Sequence, residues 1–269
     1  MPLARLLVVL GLCCAISGTA RADDAWAFQA SWDNHAHTFG GLGQLGLHSS
    51  EAREFYGLIQ LGLWSTRSRV FVGLVQCGIY NEALHFAGLV QLGAFNLSRD
   101  SFGGLMQLGA INHSHRELWA AAQIGLYNRV DADFIGVFQI GLLNWAGSRD
   151  LLGPSQIGVI NLVQGDIYAV LGQIGAYNSV KTKFWGPFQI GLFNHASRFT
   201  GLAQVGAFNY VDDEILGAQI GPVNMARSVT GVQIGLFNYA RTLRGVQLGL
   251  VNMSRNGGLP FMVLGNIGL

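Results

Sequence analysis

One hexapeptide, Gln-x-Gly-x-x-Asn, recurs fourteen times in this chain of 269 residues, at steps of 14 to 17 residues. Its Gln falls at Gln44, Gln60, Gln76, Gln91, Gln107, Gln123, Gln139, Gln156, Gln173, Gln189, Gln204, Gln219, Gln233 and Gln247. All fourteen copies carry Gly two residues after the Gln. Twelve carry Asn five residues after it, and the first two have Ser49 and Ser65 there. Repetition at a fixed period constrains a fold more tightly than composition does, because each unit must pack on copies of itself. A unit of this length is too short for a helix pair, and a central Gly in every copy opposes helix. In GVQIGLFN, Val232, Ile234 and Leu236 alternate with Gln233 and Gly235, the period of a strand. The connectors SRD at 98–100, DAD at 131–133, GSRD at 147–150 and DDE at 212–214 hold turn residues and charge. None of the fourteen six-residue blocks contains Asp, Glu, Lys or Arg. Each unit therefore reads as strand plus turn, and the chain as all-β.

The favoured architecture is a β-solenoid of about fourteen repeats of 14–17 residues, one repeat per coil. Equivalent residues then stack ~4.8 Å apart, and the Asn and Gln columns become ladders of amide hydrogen bonds. The Ile/Leu column after Gln is expected to fill the interior, so Ile234→Asp is expected to unfold the local coils. Cys77, which takes the Ile/Leu place in QCGIYN, reads as a small buried apolar residue. The alternative is a 14-stranded outer-membrane β-barrel. The strand number is even, and Phe134 to Asn144 has the length of a tilted membrane strand. The residue before the closing Asn or Ser is bulky, with Trp64, Tyr80, Phe95, Tyr127, Tyr177, Phe193, Phe208 and Phe237 as aromatic examples. By period two these share a face with Gln. In a solenoid they leave an exposed apolar stripe, the mark of a binding or membrane-contact surface.

The ends differ from the middle. Residues 1–22 have Arg5, an apolar run from Leu6 to Ile16 and the small-x-small site Ala20-Arg21-Ala22, which together read as a cleaved signal peptide. Residues 23–40 lack the repeat and read as an N-terminal cap; 41–256 form the tandem β-repeat domain; 257–269 read as a C-terminal strand or cap. Removal of Cys13 and Cys14 with the signal leaves Cys77 alone, so no intrachain disulfide is expected.

The segment GVQIGLFNYARTLRGVQLGLVNMSRNGGLPF at 231–261 resembles the bacterial surface-repeat-containing protein family. Its members carry tandem G-[VL]-Q-[IL]-G-[LV]-x-N-x-A units and a terminal Leu-Pro segment. The likeness is closest over 231–269 and extends, in looser register, back to Gly41. Earlier copies place Gly three residues before Gln, as in GLVQLG at 88–93, rather than two. The resemblance implies a location at the cell envelope or surface, and it transfers no catalytic residues.

Chemistry is sparse. The pairs His35/His37 and His113/His115 put two imidazoles on one side of an extended segment, but no further ligand of suitable spacing accompanies either. Asp131/Asp133 and Asp212/Asp213/Glu214 lack the spacing of a calcium loop and read as turn residues. A carboxylate pair at Asp212 and Asp213 has no nucleophile or oxyanion arrangement beside it. GGLGQLG at 40–46 has neither the Lys nor the helix of a phosphate loop. Arg67, Arg69, Arg241, Arg244 and Arg255 are scattered among connectors, and a net charge of +1 offers no nucleic-acid footprint. No catalytic, cofactor-binding or metal-ligating residue is assigned. The expected function is that of an exported, non-enzymatic envelope or surface repeat protein with a structural or adhesive role. It would meet membrane or envelope components through an apolar face; for the barrel alternative, the function is an integral outer-membrane protein, a pore among the options.

Overall fold

The computed structural model describes residues 12–14, 19–147, 151–153, 155–256 and 260–269, with side chains from residue 28 onward. Most of the expected export segment therefore lies outside the described residues. Within it, the backbone of Leu12–Cys14 pairs in parallel with Phe28–Ala30. Contacts divide the chain into two compact units, residues 1–131 and 132–269, each built the same way.

Each unit is a β-solenoid with no helix among the described residues. Successive repeats pair in parallel with equivalent residues opposite one another, as in Asn224↔Asn238 and Gln233↔Gln247. A membrane barrel of up-and-down strands needs antiparallel neighbours. The antiparallel ladder described here joins Phe261–Gly268 to the last coil. The barrel alternative is thereby overturned.

Four residues per coil point inward. In the coil opened by Gln219 they are Gln219, Asn224, Ala226 and Val229, all buried. Strict alternation would put Gln and the residue four places on together. Instead the chain turns at Gly221, Ile220 and Pro222 face outward, and Asn224 returns to the interior. This reverses the expected inward assignment of the Ile/Leu column: Ile234 is 41% exposed while its neighbour Gln233 is fully buried. Cys77 goes with that column, between Leu61 and Leu92 in register, and is half-buried on the outside rather than in the core.

The amide ladders form inside each unit. In the first, Gln44, Gln60, Gln76, Gln91, Gln107 and Gln123 each donate Nε2–H to the Gln of the preceding coil at 2.9–3.0 Å. In the second the Gln ladder runs from Gln139 to Gln247 at 2.6–2.9 Å. The Asn ladder has the opposite sense, each Nδ2–H donating to the next coil, as in Asn178 to Asn194 at 2.9 Å. The two rows of amide dipoles therefore oppose each other. The second Asn proton goes to a backbone carbonyl, Ile190 O for Asn178 at 2.8 Å, which fixes which end of the amide is NH2.

Asn178→Ala would strip a partner from Asn161 Nδ2, which donates to Asn178 Oδ1 at 2.8 Å, and from Asn194 Oδ1. Each buried polar group so exposed costs about 1–3 kcal/mol. We expect a clear fall in the urea midpoint of the variant; an unchanged midpoint would count against the ladder.

The remaining inward columns are apolar apart from serines such as Ser68, Ser98 and Ser114 in the narrower one. Phe39, Phe55, Phe71, Phe86 and Phe102 stack with centroids 4.5–5.0 Å apart and planes within 7° of parallel. In the second unit the same column holds Leu151, Ile167, Phe184, Phe199, Ile215, Val229 and Leu243. Small residues such as Ala83, Ala196 and Ala226 make the fourth column, where the interior is narrow.

Three details differ from the repeat as spelled. The coil register starts earlier: Gln29 accepts from Gln44, Asn34 donates to Ser50, and Phe39 begins the ring stack. Residues 29–39 thus form a coil in which Ser31 stands in the Gly place. The Asn column in the first two copies is filled by Ser50 and Thr66, not Ser49 and Ser65, because one extra residue widens the bend. Thr66 Oγ1 donates to Asn81 Oδ1 at 2.5 Å and keeps the ladder going. Finally, the Gly before Gln forms one column in the second unit, interrupted by Ala169 in register with Gly153: Gly217 lies against Gly201 and Gly231 against Gly217. The copies with Gly there differ in whether one residue or two separate it from Gln, as at Gly217 before Gln219 and Gly201 before Gln204, which accounts for the looser register. Gly231 has φ 137°, where an L-residue is strained.

The open end of the last coil is closed in two ways. Asn256 imitates a following coil, its Oδ1 accepting Leu243 N–H at 2.7 Å and its Nδ2 donating to Leu243 O at 3.2 Å. Asn266, on the antiparallel strand, donates to Gln247 Oε1 at 3.2 Å and ends the Gln ladder. Pairing and covering a strand edge removes a template for association.

Candidate functional site

The coil sorts its outer side chains into two surfaces. From the residue after the Phe column, past Gln, to the residue before Asn, the outward positions are overwhelmingly apolar. Leu63, Leu126, Leu142, Leu192, Leu236 and Leu250, three places after Gln, are among the most exposed, Leu192 at 67%. The Ile/Leu column beside them is separated only by the Gly column. Because Gly contributes no side chain, a furrow forms with a glycine floor and aliphatic walls. In the first unit it has a volume of about 460 Å³ between Leu61, Leu63, Cys77, Ile79 and Leu92. Its backbone is already satisfied: Leu92 O, for example, accepts from Gly78 N–H and from Asn81 Nδ2. The furrow therefore offers hydrocarbon and almost no unfilled hydrogen-bonding capacity. Burial raises the pKa of the Cys77 thiol in its wall, which lowers its thiolate fraction.

The opposite surface runs from the residue after Asn to the residue before the Phe column, and it holds most of the charge. In the first unit Arg67 lies between Glu51 at 3.5 Å and Glu82 at 3.9 Å, and Arg99 also bonds Glu82. Burial acts to raise the Glu82 pKa, but bonds from Arg99 and Tyr80 outweigh it and hold the carboxyl below its ordinary value.

The solenoid brings together groups that are far apart in sequence. His113 and His115 flank inward-facing Ser114, so both imidazoles face out on one side, as their spacing implies. Asp131, one coil on, then meets both: His113 Nε2 lies 2.9 Å and His115 Nδ1 3.0 Å from its Oδ2. Arg129 Nε holds the other oxygen, Oδ1, at 2.6 Å. The missing third partner was legible as His115 plus one repeat period of 16 residues. Burial lowers the His113 pKa, outweighing the opposing pull of Asp131. Burial pushes the Asp131 carboxyl up, but its bonds to Arg129, His113 and His115 prevail and bring it below the ordinary value. The other pair does not converge: His35 meets Glu51 at 3.3 Å and His37 meets Arg53 at 3.2 Å.

In the second unit Ser179, His195 and Asp212 stand in line on successive coils, Ser179 Oγ 3.1 Å from His195 Nδ1 and His195 Nε2 3.1 Å from Asp212 Oδ2. Parallel ladders flank Ser179 on both sides, in register with Leu162 and His195. Asp212 and Asp213 have separate partners, Ser197 with His195 and Arg198, so they are not a carboxylate pair sharing a site. Arg241 and Arg255, scattered in sequence, are neighbours here. With Arg227, Tyr210 and Tyr239 they line a depression of about 260 Å³.

No protein-family model, curated protein or solved structure matches the chain.

Proposed function

We propose that this chain is an exported, non-enzymatic repeat protein of a bacterial envelope, whose structural or adhesive role is carried by contact of its apolar face with membrane lipid. The single observation behind the reading is the separation of the outer surface. Aliphatic columns flank the Gln edge of every coil, while the ion pairs lie mainly on the other side. Contiguous exposed apolar surface of this kind marks a contact site, because leaving it in water is costly. Its Gly-floored furrow matches acyl chains, which need no hydrogen-bond partner. The signal-like first segment and the resemblance of residues 231–261 to bacterial surface repeats support export.

The test is flotation of the purified chain with vesicles of uncharged-headgroup phospholipid. Co-flotation that survives high salt is expected. Leu63→Asp with Ile79→Asp, both outward and exposed, should reduce it at least tenfold with little change in melting temperature. Protein that stays at the bottom of the gradient, or is released by salt, would contradict the reading.

A further inference from the structure

We propose that His113, His115 and Asp131 form a surface site for a borderline divalent transition-metal ion, Zn²⁺ being the ion that suits the set. The proposal rests on convergence. Imidazole–carboxylate pairs recur along the polar surface, at His48 with Asp33, His85 with Asp100 and His195 with Asp212. Each of those has one ring. At Asp131 alone, among the described residues, three potential ligand atoms from two imidazoles and a carboxylate lie within 4.8 Å of one another.

The dimensions suit an ion. Ligands about 2.0–2.2 Å from a tetrahedral Zn²⁺ sit roughly 3.3 Å from each other. The nitrogens are 2.9 and 3.0 Å from Asp131 Oδ2, so spreading by a few tenths of an ångström admits the metal. The rings are already tilted 55° to each other with centroids 4.1 Å apart, rather than stacked face to face. Arg129 grips Oδ1 and turns Oδ2 toward the two nitrogens, the role of an outer partner that orients a carboxylate ligand. Two nitrogens and one oxygen disfavour Ca²⁺ and Mg²⁺, which take oxygen ligands. Three protein ligands leave a fourth position for water.

The site sits on the outward side of hydrogen-bonded coils, so occupancy requires no refolding. It is independent of the apolar face, and each can fail without the other.

The experiment is competition of the full chain with a chromophoric chelator for Zn²⁺ at neutral pH. One equivalent should bind, with each of His113→Ala, His115→Ala and Asp131→Asn weakening it at least tenfold. Arg129→Gln should weaken it less, as a positioning residue. His35→Ala with His37→Ala should leave it unchanged. Melting curves without metal check the folding of each variant, and Zn²⁺ should raise the melting temperature of the native chain but not of His113→Ala. Absence of binding, full binding by the His113→Ala/His115→Ala chain, or equal binding of Ca²⁺ would overturn the proposal.

Discussion

Gly109→Ala is expected to separate two coils and abolish cooperative unfolding of the first unit around them. A methyl at this position would meet Gly93 O at 2.2 Å and Asn96 Nδ2 at 2.6 Å. The first is backbone, held by the ladder above and below, and cannot rotate away. The second is fixed by bonds to Leu108 O and Asn112, so moving it breaks the amide ladder. Overpacking a core costs about 1–3 kcal/mol where side chains can yield, and here they cannot, so the loss should lie at or beyond the upper end. Neighbouring coils in a solenoid lend each other stability, and a break between them lowers both. Gly103→Ala is the control, since its added methyl would meet nothing closer than Phe86 O at 3.7 Å. Thermal unfolding should show a large drop for Gly109→Ala and nearly none for Gly103→Ala. Equal midpoints would mean that the recurrent Gly is not held by close approach.

That Gly also explains how much of the fold could be read in advance. The repeat spacing favoured the solenoid over the barrel, and within it the recurrence of Gln and Asn pointed to both ladders, because stacking equivalent residues needs only a constant period. Which side chains face inward was not legible in the same way. Alternation assumes an unbroken strand, and the turn at the Gly breaks it, so Gln and Asn share the interior although they lie five places apart. Aliphatic residues are then outside and amides inside, against the usual sorting by hydrophobicity. The reversal is tolerated because the ladder amides have partners on the neighbouring coils, and a paired buried amide carries little of the penalty of an orphan.

The core column at Phe55, Phe71, Phe86 and Phe102 was hidden for another reason. It lies outside the hexapeptide, five residues before the next Gln in each of these copies, so a reading confined to the hexapeptide passes over it. Its signal is the period itself: each Phe is 15 or 16 residues from the next. The same rule would have found Asp131 from His115, and Arg255 from Arg241. In a solenoid, proximity in space is proximity modulo the repeat, and ligand spacings learned from helices and loops do not apply.

The arrangement of amides within and aliphatics without underlies both the fold and the proposed lipid contact, and one pair of substitutions tests it most directly. Val229 is fully buried in the apolar column, whereas Ile234, five residues on in the same coil wall, is 41% exposed. A carboxylate at 229 would be buried without a cation, at a cost of several kcal/mol or with a strongly raised pKa. At 234 it would project into solvent. The melting temperature of Val229→Asp should therefore fall steeply at neutral pH, with partial recovery in mild acid as the new carboxyl protonates, while Ile234→Asp should melt close to the native chain. The opposite order, Ile234→Asp unfolded and Val229→Asp unaffected, would contradict the account.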